Sequence, residues 1–216
     1  MQQRVVVIGL GIFGLNIVRE LFEGGFEVIA IDKSKDAVQR VRDCSTKAIQ
    51  ADGTDKAIME EIGIQEDDVV IISFGEDLAA ATLTTLHLKQ MKVKTIVVKA
   101  PNEEHKLILE KIGATEVMIP EKEIAHKVAK SLISPNVIDY LPLADGYMIS
   151  EIAPPNRFLG KSIAQLQLRS IHRIEVIAIR DVVCDKIHMI PGADFVVKDG
   201  DILVVVGKED DIRQIR

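Results

Sequence analysis

From Arg4 to about Met118 the chain alternates short runs of β-branched and apolar residues with longer stretches whose apolar positions recur at helical spacing. The runs are Arg4 to Ile8, Glu27 to Ile31, Lys47 to Ala51, Val69 to Ser73, Thr95 to Lys99 and Glu116 to Ile119. Nearly continuous apolar strands separated by helices predict a parallel sheet covered on both faces. Right-handed crossovers make six such strands a doubly wound α/β fold. Pro120 ends the last run, and Lys122 through Leu132 then reads as a helix with Ile124, Ala125, Val128, Ala129 and Leu132 on one face. That stripe suits packing against another copy of the chain or docking on the sheet edge. Pro135-Asn136 marks a bend, and Val137 to Leu141 leads into a different kind of sequence.

Beyond about Leu143 the long helical stretches stop. Short strands replace them at Tyr147 to Ile152, Ile174 to Arg180, Ile187 to Ile190 and Asp201 to Gly207, with turns at Pro154-Pro155 and Pro191-Gly192. Short helices are expected near Ser162 to Leu166 and Asp210 to Ile215. The pattern divides the chain into an α/β domain over residues 1–120, linking helices over 121–142 and a small α+β domain over 143–216.

The first strand breaks into Gly9-Leu10-Gly11-Ile12-Phe13-Gly14 and resumes in a helical pattern. In a strand-turn-helix unit each glycine has a task. Gly9 permits the turn, Gly11 lets a pyrophosphate lie against bare backbone, and Gly14 lets the helix pack close to the strand. The helix start then offers unpaired N–H groups to the anion. The second strand ends in Asp32, which stands 18 residues after Gly14. This is near the ~20-residue offset of a carboxylate that accepts from a ribose diol. Ser73-Phe74-Gly75-Glu76 ends the fourth strand at the same carboxyl edge, where ligands of open α/β sheets collect. Gly75 there is a backbone contact or a tight turn. The pattern is that of a Rossmann-like sheet holding a nucleotide.

Composition narrows the partners. The chain is 47% hydrophobic and 28% charged, and its formal charge of −6 opposes general affinity for a nucleic acid, which needs a basic surface. Cys44 and Cys184 lie far apart without metal-ligand spacing, so two free thiols in a reducing cytosol are expected. No run approaches the ~18 apolar residues of a membrane span, and the N-terminus lacks the layout of a signal peptide. A cytoplasmic protein is expected, with any membrane role exerted through a partner.

In Val7 to Gly11, Ala30 to Asp32, Ala51-Asp52-Gly53-Thr54, Ala80 to Leu86, Leu109 to Ala114 and Ile119 to Glu123, the N-terminal half resembles the RCK (KTN) regulatory subunits of Ktr- and Trk-type potassium uptake systems. The C-terminal part resembles the companion RCK-C domain in Leu159 to Ile163, Leu166, Leu168-Arg169, Val176 to Ile179, Pro191 and Gly200 to Gly207. The resemblance implies a non-catalytic sensor. Homodimers assemble into a tetrameric or octameric ring beneath a potassium-translocating membrane subunit, and an adenine nucleotide, ATP, ADP or NAD(H), changes the shape of the ring. It implies that Asp52 contacts the adenine, although a helix N-cap explains the same residue. It also implies that Lys99 reaches the phosphates, where the bare sequence equally allows a solvated strand-end lysine. Ile12, Phe13, Lys33 and Gly53 complete the candidate contacts. Glu121 matches a position tied to magnesium or calcium, and a lone carboxylate needs symmetry mates or nucleotide oxygens to complete such a site. Ile163, Arg169 and Pro191 match positions where related domains hold cyclic di-AMP.

Two departures change the expectation. Many relatives carry arginine at the position of Ile12, and an alkyl side chain cannot replace a bidentate guanidinium on a terminal phosphate. Weak discrimination between ATP and ADP follows. Glu175 stands where binders of cyclic di-AMP often carry asparagine, and its charge opposes an anionic ligand. A dehydrogenase using the same glycine pattern is the competing reading, weakened because His87, His105, His126, His172 and His188 stand in separate segments without an acid/base constellation. An oligomeric scaffold with an empty cleft is the third.

Overall fold

The computed structural model describes residues 3–133 and 136–215, in two compact units, Met1–Ile124 and Ala125–Arg216. The first unit contains β1 (Arg4–Ile8), α1 (Ile12–Glu23), β2 (Glu27–Asp32), α2 (Lys35–Val41), β3 (Lys47–Gln50) and α3 (Lys56–Ile62). There follow β4 (Val69–Ile72), α4 (Leu78–Gln90), β5 (Thr95–Lys99), α5 (Glu103–Ile112), β6 (Glu116–Met118) and the start of α6 (Pro120–Ile133). The six strands are parallel in the order β3-β2-β1-β4-β5-β6, as the apolar runs predict.

Both faces of β1 are buried, which is why it reads as continuous apolar sequence. Val6 and Ile8 pack in one layer with Ile31, Ile72, Leu88 and Leu109, and Val5 and Val7 in the other with Val18, Val28 and Val41. After β3 the chain returns to the far side of β1. The carboxyl ends of β1 and β4 therefore flank the point where strand order reverses, the crevice such sheets offer to ligands.

At the opposite edge Arg4 donates to both oxygens of Asp68 (2.9 and 2.6 Å) and to the Gly63 carbonyl (2.6 Å). The Gln65 N–H also donates to Asp68 (2.7 Å). Asp68 is only 4% exposed, so removing its counter-charge strands a buried carboxylate. Arg4→Ala is expected to cost about 2–4 kcal/mol in urea unfolding. A loss below about 0.5 kcal/mol, typical of exposed ion pairs, would show that the pair is not structural.

The second unit holds β7 (Val137–Pro142), β8 (Tyr147–Ile152), α7 (Ile163–Leu166), α8 (Leu168–Ile171), β9 (Glu175–Asp181), β10 (Lys186–Met189), β11 (Asp201–Lys208) and α9 (Glu209–Arg213). Its sheet, in the order β10-β9-β11-β8-β7, is antiparallel throughout. Alternation along β11 buries Asp201, Leu203, Val205 and Gly207 and half-exposes the residues between. Ile152, Phe158, Ile174, Ile179 and Leu203 form the centre of the core.

The linking segment differs from expectation in its second half. Helix ends at Ile133, and Val137–Pro142 is a strand paired antiparallel with β8, not a second helix. The β-branched Val137 and aromatic Tyr140 pack against the core of the second unit, and an edge position tolerates Pro142. That unit's sheet therefore begins before Leu143. Pro135 of the expected bend lies outside the described residues, while Asn136 donates to the Ile215 carbonyl (3.0 Å). On α6, Ile124 and Leu132 are 61% and 77% exposed. Among the described residues no helix is long and apolar enough to cross a membrane.

Candidate functional site

Residues from the ends of the first five strands of the parallel sheet were expected at one edge, and contacts tie several of them together. Gly9 leaves β1 at φ +94°, its N–H donating to the Ile31 carbonyl (2.9 Å), while the Ser73 N–H donates to the Ile8 carbonyl (2.8 Å). A Cβ on Gly9 would lie 2.4 Å from the Ser73 carbonyl oxygen, and one on Gly14 would lie 2.0 Å from the Gly9 carbonyl oxygen. These two glycines are required by close backbone approach. Around Gly11 nothing lies within 4 Å of the added carbon, so the backbone there borders open space.

Gly11 is also the N-cap of α1. Ser34, Asp55, Asp77 and Asn102 cap α2, α3, α4 and α5 with side-chain oxygens, but α1 has no side-chain cap and no acid in its first turn. Its first N–H groups and the positive end of its dipole remain available to an anion.

Asp32 does more than the sequence suggests. The Leu10 N–H donates to its Oδ2 and the Ser34 N–H to its Oδ1, both at 2.7 Å. The carboxylate therefore pins the glycine loop to the end of β2 and supports the start of α2. Further lone pairs on the two oxygens remain for hydroxyl donors. Arg40 of α2 reaches the Leu10 carbonyl from the same side (3.5 Å), a contact with no signal in the sequence.

The expected alternative role of Asp52 as helix cap is corrected, because Asp55 caps α3 by accepting from the Ala57 N–H (2.9 Å). Asp52 instead accepts the Thr54 N–H (2.9 Å) and hydroxyl (2.8 Å), both at Oδ1. Thr54's backbone and then its hydroxyl hold the carboxyl below the usual range, with the charge of Lys33 adding to them. Oδ2 is left as an acceptor on an exposed side chain. From beneath, Thr84 donates to the Gly53 carbonyl (3.3 Å) and His87 Nδ1 to that of Thr54 (3.1 Å). Thr84 was not singled out in the sequence; a fully buried polar residue within α4 is its only trace. A Cβ on Gly53 would meet Ile8 Cγ2 at 2.1 Å, and the Phe74 ring borders both Gly9 and Gly53. Gly75 is exposed at φ +68°, a turn position, followed by the exposed Glu76.

Lys99, at the end of β5, is not a solvated lysine. Its side chain is 15% exposed, its Nζ lies 2.5 Å from Glu121 Oε1 and 5.9 Å from the centre of the Phe13 ring. The hydrogen bond from Lys99 holds the Glu121 carboxyl below its ordinary range. Lys122, next along α6, pairs with Glu103 at the start of α5. Ile12, by contrast, is 85% exposed. Among the described residues no three His, Cys, Asp or Glu side chains gather to hold a metal ion.

Ile163, Arg169 and Pro191 belong to the second unit. Ile163 opens α7 and donates its N–H to the Phe195 carbonyl (3.0 Å), which joins it to the loop that follows Pro191. Arg169 is already committed, its Nε lying 2.5 Å from Glu175 Oε2. Of the remaining histidines, His172 lies against the Phe158 ring and His188 against that of Phe195; burial lowers the pKa of His172.

Comparison with known proteins agrees with both halves. Residues 5–120 match the TrkA-N domain and residues 147–216 the TrkA-C domain. The Ktr system potassium uptake protein C of Bacillus subtilis is 37% identical over 212 residues, covering 98% of this chain and 95% of that one. The Ktr system potassium uptake protein A of Vibrio alginolyticus is 31% identical over 208 residues, covering 96% and 94%. Among solved structures, the GsuK RCK domain shares the fold at a TM-score of 0.51 and 21% identity, over 97% of this chain and 44% of that one. With both domains matched in order and relatives aligned nearly end to end, the chain belongs to the TrkA-N/TrkA-C family that includes the Ktr system potassium uptake proteins.

Proposed function

We propose that this chain is a nucleotide-responsive regulatory subunit of a potassium uptake system. The observation that carries the reading is the uncapped, glycine-opened start of α1 facing an acid-terminated β2 in a member of that family. Backbone donors of the loop hold the phosphates, Asp32 accepts from the ribose, and Asp52 Oδ2 accepts from the adenine amine. Lys99 supplies the positive charge. The subunits form a ring beneath a potassium-translocating membrane partner at the cytoplasmic face, and differential affinity of the nucleotide for two ring shapes provides the regulation. Catalysis is not part of the reading. His87 is tied to a carbonyl, and among the described residues no three His, Cys, Asp or Glu side chains gather.

A thermal-shift panel of ATP, ADP, AMP, NAD, NADH and cyclic di-AMP, with and without magnesium, tests it. A ligand at a hundred times its Kd stabilises by about 2.7 kcal/mol, so at least one adenine nucleotide should raise the melting temperature by several degrees. No response to any of them overturns the proposal, and substrate-dependent turnover of nicotinamide favours the dehydrogenase instead. Cyclic di-AMP at Ile163, Arg169 and Pro191 has to displace Glu175 from Arg169, which sets it last in the panel.

Ile12 sets the response to phosphate number. With an isoleucine at the mouth of the loop, ATP and ADP should bind within about tenfold, ~1.4 kcal/mol. Ile12→Arg should favour ATP selectively. A hundredfold preference for ATP in the unaltered protein, read by calorimetry, would assign the terminal phosphate to another residue.

A further inference from the structure

Lys99 is partly buried, lies beside the first turn of α1, and is already paired. Its ammonium is held between the Phe13 ring and the carboxylate of Glu121, the second residue of α6. Arg40 and Lys33 are two further cations near the loops. Arg40 is turned toward the Leu10 carbonyl, and Lys33 is exposed beside Asp52. An anion entering at Gly11 and the start of α1 would meet Lys99 next to Phe13, and that cation is neutralised by the chain itself. The same turn of α6 carries a second clamp, the adjacent Lys122 bound to Glu103. Consecutive residues thus fasten the start of α6 to the end of β5 and to the start of α5.

We infer that Glu121 is an internal competitor for the phosphates of the bound nucleotide, and that phosphate capture of Lys99 releases one of the two clamps on α6. The inference rests on the nucleotide reading above. Its physical basis is exchange at one ammonium: a phosphate oxygen and a carboxylate oxygen both make charge-assisted hydrogen bonds, and water reaches the Glu121 carboxylate, 64% exposed, far more than the Lys99 ammonium, 15% exposed, so the carboxylate can leave for solvent. Occupying the loop while Glu121 stays in place would set two anions on one cation. Phosphate and the intact clamp therefore oppose each other, and any ligand that binds through its phosphates loosens the first turn of α6. By reciprocity, loosening that turn tightens the ligand. The helix runs on to Ile133 and so into the second compact unit, which makes this exchange a covalently continuous route from the phosphates toward the C-terminal domain.

The test is calorimetric titration of the full chain with ADP and with adenosine, in EDTA to exclude divalent ions, for the unaltered protein, Glu121→Gln, Lys99→Met and the double variant. Glu121→Gln should bind ADP about tenfold more tightly, about 1.4 kcal/mol, with adenosine unchanged because it carries no phosphate. In the Lys99→Met background the same substitution should gain less than about threefold, since the competition needs the ammonium. Hydrogen exchange should show the first turn of α6 loosened by ADP in the unaltered protein and already loosened in Glu121→Gln. Unchanged or weakened ADP affinity in Glu121→Gln overturns the inference, and so does an equal gain in both backgrounds, which would reduce Glu121 to through-space repulsion. If no variant binds ADP or adenosine at all, the nucleotide reading itself has failed.

Discussion

Gly14→Ala is expected to destabilise the first unit by about 2–3 kcal/mol and to abolish nucleotide binding, while Gly11→Ala leaves stability nearly unchanged and loses binding alone. The added carbon at position 14 falls 2.0 Å from the Gly9 carbonyl oxygen. That oxygen belongs to backbone fixed on both sides of the sheet, so relief requires moving α1 away from β1, at the cost typical of an overpacked core. At position 11 the methyl group enters open space, and the backbone at φ −66° and ψ −169° suits alanine as well as glycine. In the proposed nucleotide site that space would hold the pyrophosphate. Filling it should weaken ADP by about a hundredfold, ~2.7 kcal/mol. Urea unfolding and calorimetry on the pair decide the matter: equal losses of stability would make both glycines structural, and undiminished ADP affinity in Gly11→Ala would move the phosphates elsewhere.

The contrast between these glycines shows what a sequence can carry. Strand β1, its break at Gly9 and the helix after Gly11 are legible because a buried parallel strand, a turn and an amphipathic helix each impose a local pattern. Six strands and their parallel pairing follow from the same alternation. The second half of the linker is less legible, since Val137 to Pro142 is too short and too exposed to show the period of a strand. Only pairing with β8 makes it one. The site divides in the same way. Loop glycines and strand-end acids could be located, but their partners depend on which ends meet in space. Nothing local announces that Lys99 is neutralised by a residue 22 positions later, that Asp55 rather than Asp52 caps α3, or that Thr84 and His87 hold the loop beneath Asp52.

Asp32→Ala is the second large effect, and its two components can be separated. Both carboxylate oxygens accept backbone N–H groups, from Leu10 and Ser34. Loss of a charged acceptor to such donors costs about 1.5–3 kcal/mol each when the donor finds no substitute. Water reaches Ser34, which is exposed, so a net destabilisation near the lower end, about 1–2 kcal/mol, is expected. Nucleotide affinity should fall by about 1–3 kcal/mol, roughly five- to 150-fold. Part of that fall reports a loosened glycine loop and part the missing contact to ribose. A 2′-deoxy analogue of ADP distinguishes them, because it lacks one hydroxyl that Asp32 would accept in the proposed site while meeting the same loop. The unaltered protein should prefer ADP over the deoxy analogue by about tenfold, and Asp32→Ala should bind the two alike though both more weakly. If the preference survives the substitution, another acceptor reads the ribose and Asp32 acts only by holding the loop. If the unaltered protein shows no preference, the ribose does not lie at the end of β2.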